Sequence, residues 1–358
     1  TGILERLGFV KNPIDPCIMN KTTEQGQITL VIFVDDILAT CVQENQLTLL
    51  IDALKREFDD VKGGISSDFS YLGMHIENIM NEKTVVVSME GYEKALMKYA
   101  GVTGVRSSPA SSKLFEIGHS SRLQPRALAR FHTIVAKLLY LSHRVRPDTG
   151  VAVSYLTTRV TCANKDDLMK LERVLMYING TLGAMITLSC DGELRVRQSI
   201  DASFAAHDDG KGQSGEVRML GRATVAARSV KQRMVTKDST ETELVALTDL
   251  MDGALKLNEF MEGQGYVMGV PVIEQDNMST ISIVTTAGGR YRTKYLRVRI
   301  HMAKQYCDSG LMEIEYTHTG NLVSDAMTKP LQGTLLYFMR AKLHSSRNLR
   351  QVQNAGVR

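Results

Sequence analysis

The 358 residues carry 43 Lys and Arg against 39 Asp and Glu, a net charge of +4, and 43% of the chain is hydrophobic. That length supports two or three domains with real cores, and a charged fraction of 23% excludes a wholly disordered chain. The near-balance of charge permits a polyanionic partner without requiring one. Cys17, Cys41, Cys162, Cys190 and Cys307 are scattered and form no C-x-x-C pair, which argues against a zinc ribbon and a disulfide scaffold and fits a reducing compartment, and no apolar run reaches membrane-spanning length.

The N-terminus, TGILERLGFVKNPIDP, lacks an initiator Met and reads as the edge of a piece cut from a longer chain. Residues 27–34 and 37–42 read as strands of a hairpin with Asp35 and Asp36 at its tip. Two adjacent carboxylates in an apolar run resist desolvation and repel each other, so the pair is either a hydrated turn or a ligand set for a cation. Leu47, Leu50, Ile51, Leu54 and Phe58 share one face of a helix over 44–58. Residues 69–79 and 85–89 read as a second hairpin turning at Asn81-Glu82-Lys83, followed by a helix over 91–100. The Ser- and Gly-rich stretch 103–124, with Pro109, reads as a linker.

A helical block runs from about Pro125 to Leu182, with apolar helices over 129–145 and 166–178 and a turn holding Arg144 and Arg146. Beyond Cys190-Asp191-Gly192 the pattern is strand 195–202, polar loop 207–215, strand 217–225 and basic strand 228–235. A helix opens with a Thr240/Glu243 capping box and continues through residue 261. A strand over 271–276, helices over 279–286 and 293–308, a strand over 312–318 and a helix near 321–329 complete an α/β pattern. The tail from Gly333, with Arg340, Lys342, Arg347, Arg350 and Arg358, reads as a solvated helix in preference to a nucleic-acid contact.

Four acids stand at element ends: Asp201, Glu243, Asp276 and Asp325. A two-metal site needs carboxylates converging on cations roughly 3.5–4 Å apart, and Mg²⁺ favours oxygen ligands from separate elements. Each acid alone also has a plain structural role: Asp276 as an N-cap, Glu243 closing the capping box.

The order of SIDASF, STETELVALTD, EQDNMST and THTGNLVSDAMTKPL resembles the ribonuclease H domain of copia-type LTR-retrotransposon Pol polyproteins. Arg292-Thr293-Lys294-Tyr295-Leu296, His301 and Lys231-Gln232 resemble that family's intervening motifs. Upstream, Leu138-Leu139-Tyr140-Leu141 with Arg146-Pro147-Asp148, Asp68-Phe-Ser-Tyr-Leu-Gly73, and Phe-Val-Asp-Asp over 33–36 resemble its reverse-transcriptase segments. Ala227 stands where the family carries Trp, Ser203 where it carries a second Asp, and Tyr295 where it carries His.

The resemblance implies an α+β/α/β multidomain chain. Partial reverse-transcriptase palm hairpins with the start of the thumb would span 1–105, and a helical thumb and connection with its linker 106–190. A ribonuclease H-like α/β domain with a central mixed sheet would span 191–335, followed by a basic tail, 336–358. It implies hydrolysis of RNA in RNA–DNA hybrids by two-metal catalysis, with two Mg²⁺ per active site and Mn²⁺ as the alternative ion. Asp201, Glu243, Asp276 and Asp325 would be the metal ligands and catalytic residues, and Asp35 and Asp36 those of the polymerase palm. Glu241 is the rival to Glu243, which T-E-L-x-A favours. Arg292 and Lys294 would contact phosphates, and His318 lies near where many ribonucleases H place a mobile His.

The first palm aspartate and the fingers would precede Thr1, so these residues alone should not act as an RNA-directed DNA polymerase. Implied partners are RNA–DNA hybrid, template–primer and the remaining Pol polyprotein domains, with no membrane, in a cytoplasmic particle or the nucleus. The alternative is a degenerate, catalytically inactive nucleic-acid-binding remnant. An integrase is disfavoured by four acids in ribonuclease H order.

Overall fold

The computed structural model describes residues 2–58, 60–189, 194–286 and 294–345. A short helix, α1 (Gly2–Arg6), precedes an antiparallel sheet of β1 (Val10–Lys11), β2 (Ile18–Thr23), β3 (Gly26–Phe33) and β4 (Asp36–Thr40), in that spatial order. Helix α2 (Glu44–Glu57) closes it, with Leu50 and Leu54 packed on Met19, Ile28 and Leu30. The expected helix face is therefore the buried one, although Phe58 falls outside the helix and is exposed.

The second sheet corrects the second expected hairpin. Residues 69–79 are not one strand: β5 (Asp68–Tyr71) turns at Leu72-Gly73 into β6 (Met74–Ile79), which pairs with β7 (Thr84–Ser88). Gly73 takes φ +74° there, a conformation open to glycine at little cost. The fourth strand, β8 (Met185–Ser189), arrives from almost a hundred residues downstream and pairs antiparallel with β7.

Between β7 and β8 lie α3 (Glu90–Ala100), α4 (Pro125–Arg144), α5 (Gly150–Thr157) and α6 (Lys165–Asn179), around a core that includes Phe131, Leu138, Leu141, Tyr155 and Ile178. The stretch expected as a linker packs onto this core, with Ser108, Ala110 and Leu114 buried. Ser108 Oγ also reaches Gln332 Oε1 at 2.7 Å. Of the two arginines expected in a turn, Arg144 is exposed but Arg146 is fully buried, paired with Asp148 and Glu93.

The third sheet has the order β11-β10-β9-β12-β13, built from β9 (Val196–Ser203), β10 (Lys211–Leu220), β11 (Ala223–Val235), β12 (Val272–Gln275) and β13 (Glu313–Tyr316). The first three strands are antiparallel, and β12 runs parallel to both β9 and β13. Much of the expected 207–215 loop belongs to β10, and the expected strand 217–225 is the hairpin itself, turning at Gly221-Arg222. Parallel pairing demands long crossovers. These are α7 (Ser239–Leu250) and α8 (Asp252–Gly263) before β12, then α9 (Met278–Thr285) and α10 (Lys294–Asp308) before β13.

The chain closes with α11 (Asp325–Thr328) and α12 (Gly333–Leu343). Helix α12 is not solvated as expected, because Met339 and Leu343 join Val217, Val323 and Met327 in a core beneath the sheet. Mixed α/β layers with a central mixed sheet agree with the expected fold class. No helix among the described residues is long and apolar enough to cross a membrane.

Candidate metal centre

The central strand sets the site. Ile200 and Ala202 face the core shared with α7, so alternation turns Ser199 and Asp201 to the other face. There Ser199 Oγ meets Ser324 Oγ at 2.8 Å, and the Thr328 hydroxyl donates to Asp201 Oδ2. Glu274 is in register with Ser199 on the parallel neighbour, which brings Asp276, two residues on, level with Asp201. Both acids thus sit at the carboxyl ends of adjacent parallel strands, where open α/β sheets bind ligands.

Helix α7 supplies the third acid. Asp238 caps it, Oδ1 accepting from the Glu241 amide at 2.8 Å, while Glu241 Oε2 accepts from the Lys237 amide at 3.0 Å. The cap of α7 is therefore Asp238, with Glu241 holding the Lys237 amide just before it, and not a Thr240/Glu243 capping box, which leaves Glu243 for the site. Asn277, not Asp276, caps α9 by accepting from the Thr280 amide at 3.0 Å. Asp276 Oδ2 instead accepts from Thr319 Oγ1 at 2.6 Å.

Asp201, Glu243 and Asp276 each present a ligand oxygen within 4.8 Å of the others. Asp201 and Glu243 are buried and Asp276 is half-buried. Burial raises the Glu243 carboxyl well above the usual range, and the charges of Asp201 and Asp276 push it further. The Ala202 amide and Gln275 Nε2, 3.3 Å from Oε2, pull in the opposite direction.

Asp325 adjoins this triad without joining it. Its Oδ1 accepts from Lys329 Nζ at 2.6 Å, and the same ammonium lies 3.5 Å from Asp201 Oδ2. Burial and then Asp201 push Asp325 up to about 6, against the opposing pull of Lys329. Burial by itself would lower the Lys329 ammonium, but Asp201, Asp325 and Asp276 outweigh it and raise it.

His318 is exposed; its Nδ1 accepts from the Gly320 amide at 3.1 Å, beside the Thr319 that holds Asp276. Arg292 and the Lys294 side chain lie outside the described residues. Asp35 and Asp36 are exposed at the β3–β4 turn, where Val34 takes φ +56°. Among the described residues no third acid, His or Cys gathers with them. Sequence reasoning missed Lys329, Thr328, Gln275 and Thr319 as site residues. The DAMTK spacing carried one signal, since positions i and i+4 share a helix face.

Three carboxylates this close in buried surroundings are mutually repulsive unless protonated or held by cations. An all-oxygen donor set from two strand ends and a helix fits a hard divalent ion.

No family model matches the chain. It is 23% identical over 348 residues to the retrovirus-related Pol polyprotein from transposon RE1 of Arabidopsis thaliana, covering 95% of this chain and 23% of that protein. It is also 23% identical over 334 residues to the Pol polyprotein from transposon TNT 1-94 of Nicotiana tabacum, covering 90% of this chain and 25% of that protein. The chain thus spans about a quarter of the length of these curated relatives. The foamy viral protease–reverse transcriptase, solved with an RNA/DNA hybrid, superposes with a TM-score of 0.50 at 13% identity, over 81% of this chain and 36% of that one. That likeness is one of fold.

Proposed function

We propose that this chain, whose relatives are copia-type, retrovirus-related Pol polyproteins, hydrolyses the RNA strand of RNA–DNA hybrids with divalent cations through its C-terminal α/β domain. The gathering of Asp201, Glu243 and Asp276 at the strand ends carries this reading. In it, residues 1–105 are palm and the start of the thumb, 106–190 thumb and connection, 191–335 the ribonuclease H domain and 336–358 the tail.

Asp201, Glu243 and Asp276 would hold Mg²⁺ or Mn²⁺, with Asp325 completing a second position. Such ions supply an activated water and charge stabilisation for the leaving 3′ oxygen of a phosphodiester. The protein's own groups do the orienting. Thr328 fixes Asp201, Gln275 fixes Glu243, and Thr319 fixes Asp276. Hybrid recognition would rest on backbone shape and the 2′-OH, with Arg292 and Lys294 as phosphate-contact candidates and His318 in the position of a mobile His that aids product release. Asp35 and Asp36 supply a hairpin pair for a polymerase site that needs a further acid.

Incubating the full chain with a labelled RNA–DNA hybrid and Mg²⁺ tests the reading. Cleavage that is lost in Asp201→Asn and Asp276→Asn supports it. A folded wild-type chain that binds hybrid without cutting it would establish the inactive-remnant alternative instead.

A further inference from the structure

We propose that the Lys329 ammonium is an internal counter-ion for the Asp201–Asp325 edge, and that a divalent cation gains that edge only by displacing it. The inference rests on the reading that this carboxylate cluster binds divalent cations. Its observation is separate: one ammonium touches two of the acids, at 2.6 Å from Asp325 Oδ1 and 3.5 Å from Asp201 Oδ2. Asp325 is turned to that ammonium and stays out of the triad formed by the other three.

Two cations cannot share these oxygens at such separations without strong repulsion, so the ammonium and a divalent ion exclude one another. Lysine suits displacement. Its charge is a point on a flexible four-carbon stem, and the Lys329 side chain keeps 37% exposure, which leaves a path to water. Its backbone stays anchored meanwhile, because the Lys329 amide donates to Asp325 O at 2.9 Å. Lys329 is thus a positioning residue that holds Asp201 and Asp325 together until a cation arrives, at the cost of weaker cation binding.

The test titrates the EDTA-stripped full chain with Mn²⁺, and separately with Mg²⁺, by calorimetry, and records thermal unfolding with and without the ion. Lys329→Met is expected to lower the Kd by about tenfold, a change of about 1.4 kcal/mol. It is also expected to unfold at lower temperature in EDTA and to gain more from the ion than wild type does. Lys329→Arg, which keeps the charge, should bind as weakly as wild type. If Lys329→Met does not fold, Lys329→Gln removes the charge while keeping a donor, and the same shift is expected.

An unchanged or raised Kd in the neutral variants overturns the counter-ion role, while metal binding that Asp201→Asn abolishes leaves the metal-site reading intact. A wild-type chain with no Mn²⁺ or Mg²⁺ binding overturns both.

Discussion

Replacing Arg146 should cost this fold several kcal/mol, about 3–5. Its guanidinium is wholly enclosed, with Nε 3.0 Å from Asp148 Oδ1, Nη2 2.9 Å from Asp148 Oδ2 and Nη1 2.8 Å from Glu93 Oε1. Nη2 also donates to Thr181 Oγ1 at 2.6 Å. Tyr177 from α6 donates to Asp148 at 2.7 Å, and His344, just after α12, approaches it at 3.3 Å. One charge therefore ties α3, α6 and the end of α12 together.

Arg146→Met removes the cation and strands two buried carboxylates. Breaking a buried pair from one side costs about 3–5 kcal/mol, far above the ~1 kcal/mol of a surface pair. The pH dependence has a definite sign. Burial alone would raise Asp148, but Arg146 and then His344 overcome it and hold it well below the usual carboxylate range. Its contribution in wild type is present above the unfolded value near ~3.9 and is lost as pH falls through the folded value.

Without Arg146, burial dominates at Asp148 and shifts its carboxyl upward, so the variant loses stability as pH rises through its new folded value. The deficit should therefore grow from about pH 5 to about pH 8. Urea unfolding followed by circular dichroism at both pH values, with comparable slopes, measures it. A deficit under about 1 kcal/mol, or one that is the same at both pH values, would refute the reasoning.

Three further outcomes are expected. In EDTA, Asp325, with its folded value raised to about 6, and Glu243, also raised, add stability below their unfolded values and lose it as pH rises through the folded ones. Thermal melts should accordingly show stability falling toward neutral pH, and Asp201→Asn should flatten that slope and raise the melting temperature at pH 7. Gly215 pairs with Asp201 across the sheet, and a Cβ there would sit 2.6 Å from Met327 Cβ and 2.7 Å from Thr328 Cγ2. Gly215→Ala should push α11 off the strand and cost about 1–3 kcal/mol by denaturant titration, with weaker Mn²⁺ binding. Glu241→Gln should keep metal binding, because its carboxylate serves the cap of α7, whereas Glu243→Gln should lose it in the same calorimetric titration.

What was legible in advance follows from the range of each interaction. Alternation and turn residues lie within a few positions, so the β3–β4 hairpin, α2 and α3 were readable, as was the order of strands and helices that brings Asp201, Glu243 and Asp276 to one edge. Strand limits in β10 and β11 were less readable, because the polar residues Gln213 and Ser214 are buried by partners distant in sequence: Gln213 by Ser154 and Ser214 by Gln232.

Collinear motifs single out the acids in the sequence but do not say which carboxylate meets which. Only the tertiary structure sets the Glu241 carboxylate on the Lys237 amide and gives Asp325 to Lys329. It alone buried Arg146 against Glu93, 53 residues away, and delivered β8 to the edge of β7. A charge or an edge strand exposes its need for a partner in the sequence. Which partner answers depends on distances that only the folded chain establishes.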